Sequence, residues 1–155
     1  MKLILGKVLN TFILHGMVIG NWIVFQLVKM LDVRFRKALE RFDATYQFRT
    51  GPITRRLIFA DGCIRTRRGL DPSSDYEIVL LDPPGVVRRI LKNPDNLIKL
   101  LMENKIDQRG NNYYLFKFGY LLGLCDRYFQ ELIEKHTFLI PLKIRQRMKA
   151  GKEKK

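Results

Sequence analysis

Leu57-Ile-Phe-Ala-Asp-Gly-Cys-Ile-Arg65 is the stretch on which the reading of the fold turns. Asp61-Gly62, flanked by alternating apolar residues, is the strongest short hairpin signal a sequence can carry, because a two-residue turn of this kind needs positive φ at both centres. It predicts a strand Thr54 to Ala60 returning as Cys63 to Arg67. Upstream, Thr45 to Arg49 has the same period of two and is joined through Gly51-Pro52, so three antiparallel strands are expected. Downstream, Gly69-Leu-Asp-Pro-Ser-Ser74 reads as a loop, and Asp75 to Leu81 as a fourth strand with Tyr76, Ile78 and Leu80 on one face. Asp82-Pro83 then supplies an N-cap and first-turn proline for a short helix carrying Val86, Val87, Ile90 and Leu91. Asn93-Pro94 repeats the device before Leu97, Ile98, Leu100, Leu101 and Met102, a second short helix ending near Asn104. Gly110-Asn111-Asn112 reads as a turn into a fifth strand, Tyr113 to Phe118, and Leu121, Leu124, Cys125, Tyr128 and Leu132 continue at helical spacing to about His136.

Ahead of this domain, Val8 to Val28 contains no Asp, Glu, Lys or Arg, a run about 31 Å long as a helix and therefore long enough to cross a bilayer. On a helical wheel, Lys7, Asn10, Thr11, His15, Asn21, Gln26 and Lys29 share one arc. Leu9, Phe12, Ile13, Gly16, Ile23 and Leu27 lie in the opposite arc. A weakly polar stripe gains nothing in lipid, so it favours a helix at a membrane interface or packed on protein over a true span. Gly16-xxx-Gly20 in the apolar arc would allow a second copy to approach, a route to a homo-oligomer. Were the helix to span, the excess of Lys29, Arg34, Arg36, Lys37 and Arg41 over Lys2 and Lys7 would hold the domain on the cytoplasmic side. Near Asp32 the phase shifts, predicting a bend into a second helix whose seam is Leu31, Phe35, Ala38 and Phe42. The expected organisation is residues 1–43 as membrane-interacting or packing helices, 44–138 as the domain, and 139–155 as a basic tail.

The chain has 155 residues, 46% hydrophobic, enough for one domain with a real core and inconsistent with a disordered tail. Two cysteines, Cys63 and Cys125, provide neither a disulfide framework nor paired zinc-ligand spacing, which points to a reducing, intracellular setting. The formal net charge is +14; residues 71–118 are balanced, so the excess sits in the flanks and suits an anionic membrane or a nucleic acid.

In element order and local text, residues 46–124 resemble the sterol carrier protein family. The resemblance rests on the hairpin Leu57 to Arg65, the strand Asp75-Tyr-Glu-Ile-Val-Leu-Leu-Asp82 before capped helices, and Leu100-Leu-Met-Glu-Asn-Lys-Ile106 followed by Gly110. Asn104-Lys105-Ile106 stands where the family has a Gly-Lys-Leu type of segment. The resemblance implies an α+β fold: a five-stranded, curved, mostly antiparallel sheet covered by helices, around an apolar tunnel that holds a lipid tail. It also implies a protein that is not an enzyme. The long N-terminal helices and basic surface look similar to the lipid-binding accessory factors of quinone biosynthesis, so an acyl or isoprenoid ligand is as plausible as a sterol. Stacking sheet and helices as the family does would bring together Phe59, Ile78, Leu80, Leu97, Leu101, Phe116, Phe118, Leu121 and Tyr128 as the lipid lining. Membrane contact would fall to Leu9, Phe12, Ile13, Ile23, Leu27, Lys29, Arg34 and Lys37. An apolar slot is sufficient for such cargo, since fourteen methylenes gain about 11 kcal/mol on transfer at about 0.8 each. Removing residues 1–30 is then expected to release the protein from membranes and leave ligand binding intact.

No catalytic constellation, cofactor motif or metal spacing accompanies these features. His15 and His136 form no His-xxx-His pair, and no Gly-x-Gly-x-x-Gly or Gly-x4-Gly-Lys loop occurs. Nucleic acid is the competing partner, because Arg109, Tyr113, Tyr114, Phe116, Lys117 and Phe118 interleave cations with aromatics as RNA-stacking strands do. The run departs from that pattern at Asn111, and an alternating aromatic strand more often buries one face. The expectation is therefore a lipid carrier at an anionic cytoplasmic membrane surface, with presentation of a lipid intermediate to partner enzymes as the alternative and RNA binding third.

Overall fold

A computed structural model describes residues 2–92, 99–100 and 102–137. In chain order the elements are α1 (Lys2–Leu31), α2 (Val33–Leu39), β1 (Ala44–Thr50), β2 (Ile53–Ala60), β3 (Cys63–Arg68), β4 (Tyr76–Leu80), α3 (Pro83–Lys92), β5 (Ile106–Gly110) and α4 (Asn112–Thr137). Residues 93–98 and 101 of the second short helix expected from Asn93-Pro94, and the basic tail 139–155, lie outside the described residues, while Lys99, Leu100 and Met102 are helical as expected and Leu100 is buried.

The architecture is the expected α+β arrangement, an open five-stranded sheet in the order β3-β2-β1-β4-β5 packed by helices. Three of its four pairings are antiparallel and β1 runs parallel to β4, so the sheet is mixed. The β2–β3 hairpin turns where the sequence says, with Asp61 at φ 52° and Gly62 at φ 65°. Inward residues alternate along each strand: Ala44, Tyr46 and Phe48 on β1 face the same side as Leu57 and Phe59 on β2 and Ile64 on β3.

The fifth strand is the one misplaced element. It is Ile106–Gly110, antiparallel to β4, and the expected strand Tyr113 to Phe118 is the first two turns of α4. Asn111 opens the helix, its side-chain Oδ1 accepting from the Tyr113 N–H at 2.9 Å and its carbonyl from the Tyr114 N–H. From there Tyr114, Phe118, Leu121, Leu124 and Cys125 recur every three or four residues on the buried face. The apparent alternation Tyr114-Phe116-Phe118 is a helical stripe crossed by one outward residue, and a six-residue window cannot separate the two periods.

Asp32 makes the expected bend. It is extended (φ −113°, ψ 119°) and caps α2 by accepting from the Arg34 N–H at 2.7 Å. Phe35 and Phe42 of the predicted seam are buried and Ala38 half-buried, whereas Leu31 points outward. The core beneath is largely aromatic: Phe25 meets Phe35 at 5.6 Å and Phe118 at 5.8 Å, and Tyr46 meets Phe118 at 4.9 Å.

Candidate functional site

Helix α1 lies against the sheet on its less greasy side. Leu14, Val18, Phe25 and Val28 form one fully buried stripe, and the half-buried side chains beside it include His15, Asn21, Trp22 and Gln26. Trp22 Nε1 and Gln26 Nε2 both donate to the Ile64 carbonyl, at 3.0 and 2.8 Å. Ile64 belongs to the edge strand β3, so the polar arc of α1 closes an edge that would otherwise invite another strand. The opposite arc is left outward: Leu9, Phe12, Ile23, Leu27 and Met30 are exposed, Phe12 and Met30 to 73% each. Val8–Leu31 is long and apolar enough to cross a membrane, yet its inner stripe is part of the domain's core.

Adjoining this helix, α2 and α4 enclose an open groove of about 760 Å³ lined by Arg34, Lys37, Ala38, Arg41, Tyr113, Phe116, Lys117 and Tyr120. Its walls arise from helical spacing: Tyr113, Phe116 and Tyr120 are three and four residues apart on the outward face of α4, and Phe116 is 75% exposed. Lys117 Nζ lies 5.6 Å from the Phe42 ring centroid and 5.8 Å from that of Tyr113, a cation held by aromatic faces. Arg34 is engaged, pairing with Asp32 at 2.8 Å and with Glu131 of α4 at 2.9 Å, so it ties the bend to α4. These contacts hold the Asp32 and Glu131 carboxyls below the usual range, in each case chiefly through the Arg34 hydrogen bond. Lys37 and Arg41 have no carboxylate partner among the described residues. The groove therefore offers flat apolar walls under a positive rim, the complement of an anionic amphiphile.

The nine residues read as lipid lining are distributed unevenly. Phe59, Leu80, Phe118 and Leu121 are buried in the core cluster, and Ile78 and Tyr128 pack against it half-buried. Phe59 and Phe118 are in ring contact with Phe42 (5.2 Å) and Phe48 (6.0 Å), so in this state they fill space as well as border it. Phe116 lies in the groove, while Leu97 and Leu101 are outside the described residues. Of the residues read as membrane contacts, Leu9, Phe12, Ile23, Leu27, Arg34 and Lys37 are exposed, and Ile13 and Lys29 are half-buried. Sequence reasoning misses the groove because the local alternation predicts its α4 wall as strand. The spacing of Tyr113, Phe116 and Tyr120 behind Asn111-Asn112 is the signal that could have found it.

The RNA-platform reading loses its basis with that strand, because Tyr114, Phe116 and Phe118, which would share one face of a strand, lie on a helix. Burial pushes the Cys125 thiol up to about 12, with the Asp32 charge adding to it, whereas Cys63 is exposed. Among the described residues no cluster of three or more His, Cys, Asp or Glu could hold a metal ion.

Neither a family model nor a curated protein sequence matches the chain. Solved structures do. The ubiquinone synthesis protein UbiJ-SCP2 superposes with a TM-score of 0.51 at 13% identity, over 65% of this chain and 86% of that one. Sterol Carrier Protein 2 from Yarrowia lipolytica gives 0.43 at 16% identity, over 66% and 87%. The sec-alkylsulfatase Pisa1 from Pseudomonas sp. gives 0.45 at 18% identity, over 57% of this chain and 14% of that one.

Proposed function

The chain has the sterol-carrier-like fold, and from that premise we propose that it is a non-catalytic lipid-binding carrier working at a membrane surface. The observation that carries the reading is the outward apolar arc of α1. A helix already locked to its domain by Leu14, Val18, Phe25 and Val28 has no internal use for an exposed Leu9, Phe12, Ile23, Leu27 and Met30. Laid on a bilayer, that arc enters the headgroup boundary while the cationic flanks face anionic lipid, each Lys or Arg near the surface adding about 1 kcal/mol. The ligand is an amphiphile with an acyl or isoprenoid tail. Its anionic end meets Lys37, Arg41 and Lys117, and its tail runs over Phe116 toward Phe118, Leu121 and Phe59.

A second reading, presentation of a lipid intermediate to a partner enzyme, is supported by the fold that the chain shares with a ubiquinone synthesis protein. Carrier and presenter share the binding step and differ in where the lipid is released, into a membrane or into an enzyme.

Flotation of the full chain with vesicles of phosphatidylcholine containing 30% phosphatidylglycerol tests the membrane half. The double variant Phe12→Asp/Leu27→Asp is expected to lose vesicle binding at least tenfold with an unchanged melting temperature, because about 1.5–3 kcal/mol of apolar burial is lost at each position. Wild-type protein that stays at the bottom of the gradient would overturn it. Native mass spectrometry of protein purified without detergent tests the ligand half. A stoichiometric lipid or quinone is expected, and an empty protein carrying nucleic acid would refute the carrier.

A further inference from the structure

The inner face of the sheet carries an unbalanced cluster that the proposed function does not use. Arg55 on β2 and Arg68 on β3 are direct cross-strand partners, on the same face as Leu57, Phe59 and Ile64. Like charges placed opposite each other weaken a sheet. The neighbouring pair on the outer face, Arg56 and Arg67, is relieved by Asp71, which accepts from Arg56. On the inner face Arg55 finds only the hydroxyl of Thr66, at 2.9 Å, and no carboxylate pairs with Arg55 or Arg68 among the described residues.

A third group completes the cluster from above. His15 projects from α1 on its protein-facing arc, and its Nδ1 is buried without a hydrogen-bond partner. α1 packs on β2 and β3, with Trp22 and Gln26 donating to Ile64 of the strand that carries Arg68. Burial comes first in lowering the His15 pKa, and the charges of Arg55 and then Arg68 add to it. Arg55 is likewise made less basic by burial and by Arg68. Two guanidinium groups and an unsatisfied imidazole nitrogen between a helix and a sheet, with no acid among the described residues to balance them, make an arrangement that costs stability unless an anion neutralises it.

We propose that His15, Arg55 and Arg68 form a phosphate-binding site between α1 and the inner face of the β2–β3 hairpin. A phosphate monoester fits better than a carboxylate. Its charge approaching −2 at neutral pH matches two guanidinium groups, and its three terminal oxygens can take both arginines and the imidazole together. Arg68 is exposed, which opens the site to solvent, while Arg55 and His15 are half-buried. The site is separate from the α2–α4 groove and stands whether or not that groove holds lipid.

The test tracks the His15 imidazole resonances by NMR in the full chain during titration with inorganic phosphate, in wild type and in Arg55→Gln, Arg68→Gln and Arg67→Gln. Wild type and R67Q are expected to show saturable shifts at His15, and R55Q and R68Q to bind at least tenfold more weakly. Without ligand, R55Q should melt no lower than wild type, since it removes a repulsion. Dihexanoyl phosphatidic acid below its micellar concentration identifies the source. Binding tenfold tighter than inorganic phosphate assigns the site to a lipid headgroup, and equal or weaker binding assigns it to soluble phosphate esters. Unmoved His15 resonances in wild type with both probes, or equal affinity in R55Q, would overturn the proposal. The wild-type titration decides the matter even if a variant fails to fold.

Discussion

Gly110 ends β5 at φ +119°, and a Cβ there would stand 2.4 Å from the Asp75 carbonyl oxygen and 3.0 Å from Tyr76 Cα. Both obstacles are backbone, so the strand pair itself would have to part. Gly110→Ala is expected to cost on the order of 3 kcal/mol in urea unfolding. Gly119→Ala, on the exposed face of α4 with open space around it, should instead gain about 0.5–1 kcal/mol. The cysteines separate in the same way. Exposed Cys63 should react with a thiol reagent in the native protein, and Cys125, with its thiol raised to about 12, only after denaturation. Counting adducts by mass checks this. At Asp32 the cap and the charge come apart: Asp32→Ala should cost about 1–2 kcal/mol, and Asp32→Asn less, because Asn still accepts from the Arg34 N–H. Because the Asp32 and Glu131 pKa values are lowered on folding, their stabilisation is complete above the ordinary carboxylate range near about pH 4 and fades as pH falls through the lowered values. Arg34→Gln should flatten the melting temperature between pH 7 and pH 3. The hairpin glycine and the aspartate bend are legible as residue types. Gly110 is legible as a turn, but its close approach to Asp75 depends on a strand pairing that local sequence does not contain.

At the scale of elements, strands bounded by Gly and Pro announce themselves and helices announce their caps. β5 does not, because Ile106 to Gly110 buries only its first residue and shows no alternation to read. α4 is hidden for the opposite reason, since its first turns are aromatic on both faces. For α1 the sequence separates the two arcs correctly, but which arc meets the domain depends on a long-range event, the donation by Trp22 and Gln26 to Ile64. Trp22→Phe/Gln26→Leu is expected to destabilise by about 2 kcal/mol, leaving the edge carbonyl without its side-chain donors, and to raise amide exchange across α1 ahead of the rest.

For the whole molecule, the consequence is that α1 is not a detachable anchor. Four of its side chains are fully buried, worth roughly 6–12 kcal/mol together at about 1.5–3 each, against a total stability of about 5–15 kcal/mol for a domain. Deleting residues 1–30 should therefore yield a chain without a cooperative melting transition by circular dichroism. The sequence alone points to the opposite expectation, that ligand binding survives the deletion. Wheel geometry gives the faces of a helix but not its partner, and a helix that could serve a membrane on one arc shows nothing locally of the sheet it holds with the other.

The Trp22–Ile64 contact spans 42 residues of chain. Translation at about 5–20 residues per second places roughly 2–8 s between the synthesis of the tryptophan and that of its acceptor. During that interval α1 is apolar on its outer arc and unpaired on its inner one, with no sheet yet made to receive it. The order of synthesis thus exposes the outer arc of α1 before the sheet that receives its inner arc exists.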